Sequence, residues 1–298
     1  MSDAPARGGG REQGATTEPR AAVLYVVATP IGNLADITLR ALEVLRSVPL
    51  VAAEDTRLTR RLFARHGIAT RLLSYHARNA QQREPELLAH LEGGRDLALV
   101  TDAGTPTISD PGEGIVAAWA AEGGRIMAVP GPSAVLAALV TSALPTARWC
   151  FEGFLPRRGR QRRDRLARIC ADPRATVIFE APTRTAATLR DLAEACGPDR
   201  PAALGRELTK LHEETWRGSL LELAEQAGRA EPRGEVTIVV AGRGERSDPV
   251  VLDERRLDAA RGRVDDLARS GLSRSTAARQ VAAESGLPRR ELFRSRRG

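Results

Sequence analysis

The chain has 298 residues and a formal net charge of +7, carried by 44 arginines and a single lysine, Lys210, against 38 acidic residues. This length allows two domains of ~100–200 residues and an appendage, and the 42% hydrophobic content excludes a wholly disordered or collagen-like chain. Three cysteines without a CxxC pair exclude a disulfide framework and give no zinc or other metal signature, and only ten aromatic residues argue against a binding surface built on aromatic stacking.

Residues 1–20 carry three arginines and three acidic residues but no apolar segment, which predicts a disordered tail instead of a signal peptide. No apolar run in the sequence approaches the ~20 residues that a membrane-spanning helix needs. We therefore expect a protein of the cytoplasm with no membrane association.

Short apolar runs predict the strands of a first domain over residues 21–145. They fall at 23–29, 48–53, 97–101 and 125–129, with a further strand before Tyr75. Helical spacing separates them at 38–46 and 113–121. Alternating strands and helices are typical of an α/β domain with a largely parallel sheet.

A second α/β series is predicted over residues 146–243. Its strands fall at 149–154, 175–180, 202–206 and 235–241, and its helices at 160–170, 183–195 and 219–228. A polar linker, 242–249, leads to residues 250–298. There, Leu257, Ala260, Val264 and Leu267 mark one helix, a second helix is expected over 276–284, and a short third helix carries Leu292 and Phe293. Three small helices with a glycine turn resemble a helix-turn-helix.

The positive charge lies in two segments. Residues 157–168 carry +6 and residues 250–298 carry +5, which leaves −4 on the rest of the chain. One basic run alone is most simply a solvated helix face. Two such segments on an acidic body favour a polyanionic partner whose binding weakens with salt.

Three loops follow predicted strands of the first domain, where ligands of open α/β sheets bind. In the first loop, 29–38, Pro30 ends the strand and Gly32 permits a tight turn, but the GxGxxG pattern of dinucleotide-binding folds is absent. The loop 101–112 contains two aspartates, two glycines and two prolines, and Asp102 can receive hydroxyl or ammonium donors. In the third loop, Ser133 opens a helix at 134–143 whose N-terminus suits a carboxylate or phosphate. Each loop alone also has a plain structural interpretation as a turn or a cap.

Nine sequence blocks in order resemble one known family. They are ATPIGNLADIT, AEDTR, SYHARN, TDAGTPTISDPG, VPGPSA, FEGFLPRRG, FEAPTR, RELTKLHEE and RGE, spread over residues 23–241. Together they closely resemble the bacterial small-subunit ribosomal RNA methyltransferases of the tetrapyrrole-methylase superfamily. The first loop lacks the multiple glycines of the tetrapyrrole-making relatives, which favours the RNA branch.

The resemblance implies two α/β domains with S-adenosyl-L-methionine bound in the cleft between them, plus the small C-terminal helical domain. It implies a homodimer that methylates the ribose 2′-oxygen of a cytidine in the decoding region of 16S ribosomal RNA, within the small subunit. The cofactor-binding residues carried over block by block are Pro30, Gly32, Asp102, Ala103, Gly104, Thr105, Pro106, Gly131, Pro132, Ser133, Ala134, Phe179, Glu180 and Pro182.

The segment 206–214 holds the candidate catalytic residues. A ribose hydroxyl is a poor nucleophile, so a site must accept its proton or stabilise the developing negative charge. Lys210 either has a lowered pKa and acts as the base or stays charged and stabilises the oxygen, with Glu207 orienting it. His212 is a rival base, because histidine titrates near neutrality. A surface ion-pair patch is the alternative, against which the use of the chain's single lysine argues.

Candidate RNA contacts lie in the basic segments and after the third strand. His76 adjoins Tyr75 and can contact RNA, although a lone histidine is more often structural, and we expect His66 and His90 to be incidental and without partners. A basic surface suffices for RNA duplexes, which are recognised largely by shape and backbone. The predicted RNA-binding residues are Arg157, Arg158, Arg160, Arg162, Arg163, His76, Arg78, Arg274, Arg279, Arg289 and Arg290.

Two alternative functions remain open at this stage. A tetrapyrrole C-methyltransferase of the same superfamily would need few cationic contacts, so the basic segments count against it. A ligand-sensing, nucleic-acid-binding regulator would use the helix-turn-helix-like segment on DNA, but it has no need of two preceding α/β domains with ligand loops.

Overall fold

The computed structural model describes residues 22–244, 254–285 and 292. The chain divides into two compact units between Gly242 and Arg243. The predicted N-terminal tail, residues 1–20, lies outside the described residues, as do Arg289, Arg290 and all of the predicted third helix except Leu292. None of the described helices has the length and apolar character that crossing a membrane requires.

The first sheet is fully parallel, as predicted. Its strand order is β3-β2-β4-β1-β5, and five helices occur along the same stretch of chain. The strands are β1 Val23–Val27, β2 Leu50–Ala53, β3 Arg71–Ser74, β4 Leu97–Val100 and β5 Arg125–Val129; the helices are α1 Leu39–Ser47, α2 Thr56–His66, α3 Ala80–Glu92, α4 Glu113–Ala121 and α5 Ala134–Ser142.

The continuous apolar runs are buried because helices cover both faces of this sheet. Every residue of β2 and β4 is buried, and separate hydrophobic clusters lie on the two faces. Ala98 belongs to one cluster and Leu99 to the other, as the alternation of side chains along a strand requires. All five strands end at one edge, and the predicted ligand loops start there.

The second sheet is mixed. Its order is β6-β7-β10-β8-β9, in which only β6 and β7 run parallel. The strands are β6 Trp149–Phe154, β7 Ala175–Glu180, β8 Pro201–Arg206, β9 Glu214–Ser219 and β10 Val236–Val240; the helices are α6 Arg160–Ala171, α7 Pro182–Cys196 and α8 Leu220–Arg229. Both sheets belong to the compact unit that ends at Gly242, so the domain boundary near residue 145 stays a prediction.

Strand β9 is not predicted by the sequence pattern. Its residues read ETWRGS, with a single large apolar side chain, because β9 is an edge strand that pairs only with β8 and is partly exposed. The polar segment 207–213, which the sequence presents as a long connection, is therefore the short turn of a β8–β9 hairpin.

Most of the predicted basic segment, 157–168, lies in helix α6. One arginine of this helix, Arg162, is not the exposed RNA contact that we expected. The Arg162 side chain is only 12% exposed and forms an ion pair with Asp191 of α7, with 2.6 Å between Nη2 and Oδ2. It also donates to the Thr188 hydroxyl and to the Pro156 carbonyl. Arg162 thus ties α6 to α7, whereas Arg157, Arg158, Arg160 and Arg163 are exposed.

His90 has a hydrogen-bond partner, contrary to the expectation from the sequence. Its side chain is buried near the end of α3, and Nε2 lies 3.1 Å from the Asp96 carbonyl oxygen. The Asp96 carboxylate in turn accepts from the Val23 backbone N–H at 2.8 Å. His90 therefore helps hold the turn before β4 against the start of β1.

The C-terminal unit contains α9 Glu254–Arg269 and α10 Arg274–Ser285, as the helical spacing predicted. Their apolar faces pack together with Leu292 in a small core of Ala260, Val264, Ala277, Ala278 and Val281. Arg274 forms an ion pair with Asp265 at 2.9 Å, and Arg279 is exposed.

Replacing Arg162 by alanine should destabilise the protein, because it leaves Asp191 without its cation and Thr188 without a donor. Since Asp191 is 42% exposed, we expect a loss of about 1–2 kcal/mol instead of the ~3–5 kcal/mol of a fully buried pair. Arg163→Ala, one position along and exposed, is the matched control and should change stability by less than ~0.5 kcal/mol. Denaturant unfolding of both variants decides; equal stabilities would contradict the structural role.

Candidate active site

A cavity of about 420 Å³ opens beyond the carboxyl ends of the first sheet and is closed by residues of the second sheet. Its lining is mostly apolar, with a small number of polar groups, as is usual for sites that hold a small organic molecule. We call it the apolar cavity; it is lined by Ile31, Ala103–Thr105, Ile108–Asp110, Ser133–Val135, Phe154, Phe179–Pro182 and Gly234–Thr237.

The loop after β4 takes an unusual backbone course beside this cavity. Gly104 has a φ of +76° and exchanges backbone hydrogen bonds with Thr29 at 2.8 and 3.1 Å, which joins the loops after β1 and β4. Thr107 and Ser109 also have left-handed φ values, of 74° and 64°. Non-glycine residues rarely adopt this conformation, and such positions cluster at functional sites.

The predicted cofactor residues divide in the structure. Ala103, Gly104, Thr105, Ser133, Ala134, Phe179, Glu180 and Pro182 line the apolar cavity, while Pro30, Gly32 and Asp102 line a neighbouring one. Pro106, Gly131 and Pro132 line neither. Gly131 instead allows a close backbone approach, because a Cβ there would lie 3.1 Å from the Ala28 side chain.

Glu180 touches the apolar cavity, but its carboxylate is already engaged. Oε1 accepts from the Ala181 backbone N–H and pairs with Arg184, and Oε2 accepts from the Thr188 hydroxyl at 2.6 Å. The side chain is fully buried. The Glu180 carboxylate therefore secures the first turns of α7, and its place in the lining of the apolar cavity leaves its cofactor assignment a prediction.

A second cavity, of about 520 Å³, adjoins the apolar cavity. Ile31, Ala103 and Glu235 line both, so these residues form the boundary between them. We call it the lysine cavity, because Lys210 reaches into it from the β8–β9 turn; its other lining residues are Thr29, Pro30, Gly32, Leu34, Leu58, Thr59, Arg61, Leu62, Thr101 and Asp102.

Lys210 is held by two carboxylates. Its Nζ donates to Glu207 Oε1 at 2.9 Å and to Glu235 Oε2 at 3.0 Å. Partial burial lowers the pKa of Lys210, but the hydrogen bonds to the two glutamates outweigh burial, so the net shift is upward. The same hydrogen bond lowers the pKa of Glu207. Of the two roles that the sequence left open, the structure favours the charged lysine and argues against a neutral base.

Two glycines make room for this arrangement. A Cβ on Gly32 would lie 2.4 Å from Lys210 Cγ, so the stem of the lysine rests directly on the loop after β1. Gly234 has a φ of +78°, and a Cβ there would collide with the Glu207 carboxylate. Glu207 and Thr209 have left-handed φ values of 51° and 68°. The β8–β9 turn is thus shaped to place one ammonium group at the first sheet's edge.

His212 does not join Lys210. It is exposed and lines a separate cavity together with Trp216 and Arg233 on the far side of Glu207. A base acting in the lysine cavity would have to lie within hydrogen-bond reach of the substrate there. The structure therefore does not bring His212 to the place where the sequence predicted a rival base.

His76 and Arg78 line a fourth cavity, which is open and polar, has a volume of about 670 Å³ and lies after β2 and β3. Glu54, Asp55, Arg57 and Asp102 line it too, and Asp102 connects it to the lysine cavity. Tyr75, by contrast, is buried, and its hydroxyl donates to Glu84 at 2.8 Å. His76 and Arg78 thus stay candidates for contacts with a substrate that enters the lysine cavity.

Carboxylates concentrate at the ends of β2 and β4, and their charges oppose one another. Burial, followed by the charge of Glu54, raises the pKa of Asp110 to about 6. Burial also raises the pKa of Glu54 and of Asp102. Perturbed acids in a cleft are typical of functional sites.

The sequence analysis assigned no role to Glu235 or Asp110. Glu235 lies in the RGE block. A charged residue at the start of a predicted strand, in a chain with a single lysine to pair with, was the available signal that it belongs to the site. Asp110 lies within the 101–112 loop, but nothing in the sequence separates its environment from that of Asp102.

Comparison with known proteins identifies the family. The tetrapyrrole (corrin/porphyrin) methylase family matches residues 23–224. The chain belongs to this family.

Several tetrapyrrole-methylase relatives are similar over most of their length. The chain is 45% identical over 271 residues to the ribosomal RNA small subunit methyltransferase I of Synechocystis, covering 91% of this chain and 96% of the relative. It is 44% identical to the protein of that name from Mesorhizobium japonicum, covering 93% and 92%. A Thermotoga maritima relative of that name is 46% identical over 220 residues, or 74% of this chain and 98% of the relative.

Solved structures share the fold at low identity. A cobalt precorrin-4 methyltransferase superposes with a TM-score of 0.60 at 18% identity, over 76% of this chain and 98% of its own. A uroporphyrin-III C-methyltransferase from Thermus thermophilus, in complex with S-adenosylhomocysteine, gives 0.54 at 20% identity, over 74% and 97%.

The tetrapyrrole methylases are S-adenosylmethionine-dependent, and this chain is accordingly a methyltransferase enzyme. The apolar cavity fits that cofactor. It combines apolar surface for an adenine ring, hydroxyls of Thr105 and Ser133, and the N-terminus of α5, where a carboxylate is favoured. When bound, the cofactor supplies an activated methyl group, and the protein supplies position and electrostatics.

Gly32→Ala should reduce methyl transfer by displacing Lys210, since the added Cβ occupies the position of the lysine stem. A displacement of ~1 Å in an active site can lower rates by ~10²-fold, and we expect a loss of that order. In a Lys210→Ala background the same glycine substitution should cost little, because no stem is left to displace. This double-mutant cycle, measured by turnover, isolates the contact; additive losses would contradict it.

Proposed function

We propose that this methyltransferase transfers a methyl group to the ribose 2′-oxygen of a cytidine in the decoding region of 16S ribosomal RNA. The observation that carries the proposal is the similarity of 45% over 271 residues to a ribosomal RNA small subunit methyltransferase I, extending over nearly the whole of both chains. The choice of ribose oxygen and of cytidine comes from the family resemblance of the nine sequence blocks.

The two adjoining cavities support a transfer between a donor and a polar acceptor. The apolar cavity is suited to the methyl donor, and the lysine cavity, with its charged residues, is suited to a ribose. Because Ile31 and Ala103 line both cavities, a group bound in one lies next to a group bound in the other. In-line displacement at a methyl carbon needs this kind of juxtaposition.

A charged Lys210 fits the chemistry of an attacking hydroxyl. Negative charge develops on the ribose oxygen as its proton leaves, and a fixed ammonium group stabilises that charge without having to reorganise. Glu207 and Glu235 hold the ammonium in place, so their role is positioning.

Exposed arginines form the proposed RNA-binding surface. Arg157, Arg158, Arg160 and Arg163 lie at or just before the start of α6, and Arg279 lies on the C-terminal unit, which we propose as an RNA-docking module. Arg274 is paired with Asp265 and is a weaker candidate. Such contacts neutralise phosphates and do not depend on aromatic stacking.

We also propose a homodimer acting in the cytoplasm on the small ribosomal subunit. Leu136 and Val140 lie four residues apart on α5 and are 52% and 81% exposed, and Leu211 of the β8–β9 turn is 93% exposed. Large exposed apolar side chains, two of them neighbours on the surface of one helix, favour a protein contact.

Neither alternative function is favoured. A tetrapyrrole substrate is recorded in the names of solved structures that are about 20% identical, which supports the fold alone. A DNA-binding regulator would not need a charged lysine in a cavity that adjoins the apolar cavity.

The test is transfer of labelled methyl from S-adenosylmethionine to small subunits taken from cells that lack this enzyme. We expect label in 16S ribosomal RNA, on a ribose, after nuclease digestion, and no transfer to subunits already methylated by the enzyme. A uroporphyrinogen substrate serves as the comparison and should stay unlabelled. Label on a base, or on the tetrapyrrole alone, would overturn the proposal.

A further inference from the structure

Ribose methylation needs a group that takes the hydroxyl proton, and the two bases predicted from sequence do not serve. Lys210 is kept protonated by Glu207 and Glu235, and His212 lies in a different cavity. The proton acceptor must lie in the lysine cavity, close to the boundary with the apolar cavity. Among the described residues that line the lysine cavity, the only carboxylates are Glu235 and Asp102.

Glu235 is unsuited to this role because it is already the partner of a cation. Its Oε2 accepts from Lys210 Nζ at 3.0 Å, and protonating it would remove half of the lysine's support. Asp102, by contrast, forms no ion pair within the part of the chain that the structure describes. It is the second residue after β4, and the next residue, Ala103, lines both cavities.

The local structure fixes the Asp102 carboxylate and leaves one oxygen available. Oδ1 accepts from the Asp55 backbone N–H at 2.9 Å, and the backbone N–H of Asp102 donates toward Glu54 Oε2 at 3.3 Å. Within residues 22–244, no hydrogen bond to Oδ2 is present. One oxygen is thus anchored to the loop after β2, and the other is free for a substrate hydroxyl.

The electrostatic surroundings make Asp102 a better proton acceptor than an ordinary aspartate. Although the residue as a whole is exposed, partial burial of its carboxylate raises the pKa. The hydrogen bond from the Asp55 N–H lowers the pKa, the charge of Asp55 raises it and that of Arg57 lowers it, with a net upward shift. Glu54, His76 and Arg78 line the open polar cavity with it, and Arg61, Lys210 and Glu235 line the lysine cavity with it. The charge of Asp102 also acts on the nearby Asp110.

We propose that Asp102 is the catalytic residue that accepts the proton of the ribose 2′-hydroxyl. This rests on the ribose methylation proposed above and differs from the cofactor-binding role expected from sequence. The 2′-oxygen forms a bond to the methyl carbon while the bond from that carbon to sulfur breaks and its electron pair stays on sulfur. The hydroxyl proton passes to Asp102 Oδ2 and from there to solvent through the open polar cavity that Asp102 also lines.

The test compares Asp102→Asn with wild type in single-turnover methyl transfer and in cofactor binding by calorimetry. The amide keeps the size of the side chain and an oxygen for the Asp55 N–H, but it cannot take a proton. We expect transfer to fall by ~10²–10⁴-fold, the usual contribution of general-base catalysis, with cofactor affinity and thermal stability unchanged. Asp102→Glu should restore part of the rate, and the exposed Glu122→Gln is the control for loss of a carboxylate.

The pH profile separates a base from a merely structural residue. The wild-type rate should fall as the pH drops through the pKa of Asp102, and this acid limb should disappear in Asp102→Asn. An unchanged acid limb would assign the titration to Asp110 or another group and overturn the proposal. A full rate in the variant, or a loss of cofactor binding, would overturn it as well. If wild-type enzyme itself leaves ribose unlabelled, the proposed function has failed instead.

Discussion

The pairing of the Lys210 ammonium group with two carboxylates links the two sheets at the candidate active site. Lys210 belongs to the second sheet, yet its stem lies on Gly32 of the first and its charge enters a cavity formed by the loops after β1 and β4. Glu207 comes from the same turn, and Glu235 directly precedes β10. The ammonium group is therefore in place only when three backbone segments are folded: the loop after β1, the β8–β9 turn and the segment before β10. A carboxylate on each side keeps the lysine charged despite its partial burial.

This arrangement divides the chemical labour between neighbouring residues. A lysine that stays charged stabilises negative charge and cannot also remove a proton, so the base has to be another group. Asp102 lies in the same cavity, forms no ion pair with any of the described residues, and has a raised pKa. When their environments keep two groups of one site in different protonation states, one group can act electrostatically and the other as an acid or base.

Much of the fold was predictable from sequence, because buried parallel strands and amphipathic helices have strong periodic signals. The edge strand β9 was not, since an exposed strand with mixed polar residues has no such signal. Arg162 shows a second limit: composition places it in a basic surface run, but only the packing of α6 on α7 reveals its ion pair with Asp191. For the candidate site, too, local features were predictable from the sequence and contacts between distant segments were not. Sequence located the loops and Lys210, but the grouping of Glu235 with Lys210, and the separation of His212 from it, depend on how distant segments meet.

The direction of the Lys210 pKa shift is the central physical claim, and the composition of the chain makes it directly measurable. Because Lys210 is the only lysine, labelling with ¹⁵N-lysine yields a single side-chain ammonium signal whose pH titration can be followed by NMR without assignment. The account predicts a titration above the ordinary lysine value of about 10.4, which moves downward when Glu207 or Glu235 is replaced by glutamine. A titration near neutral pH in the wild-type protein would contradict it and would return Lys210 to the role of base.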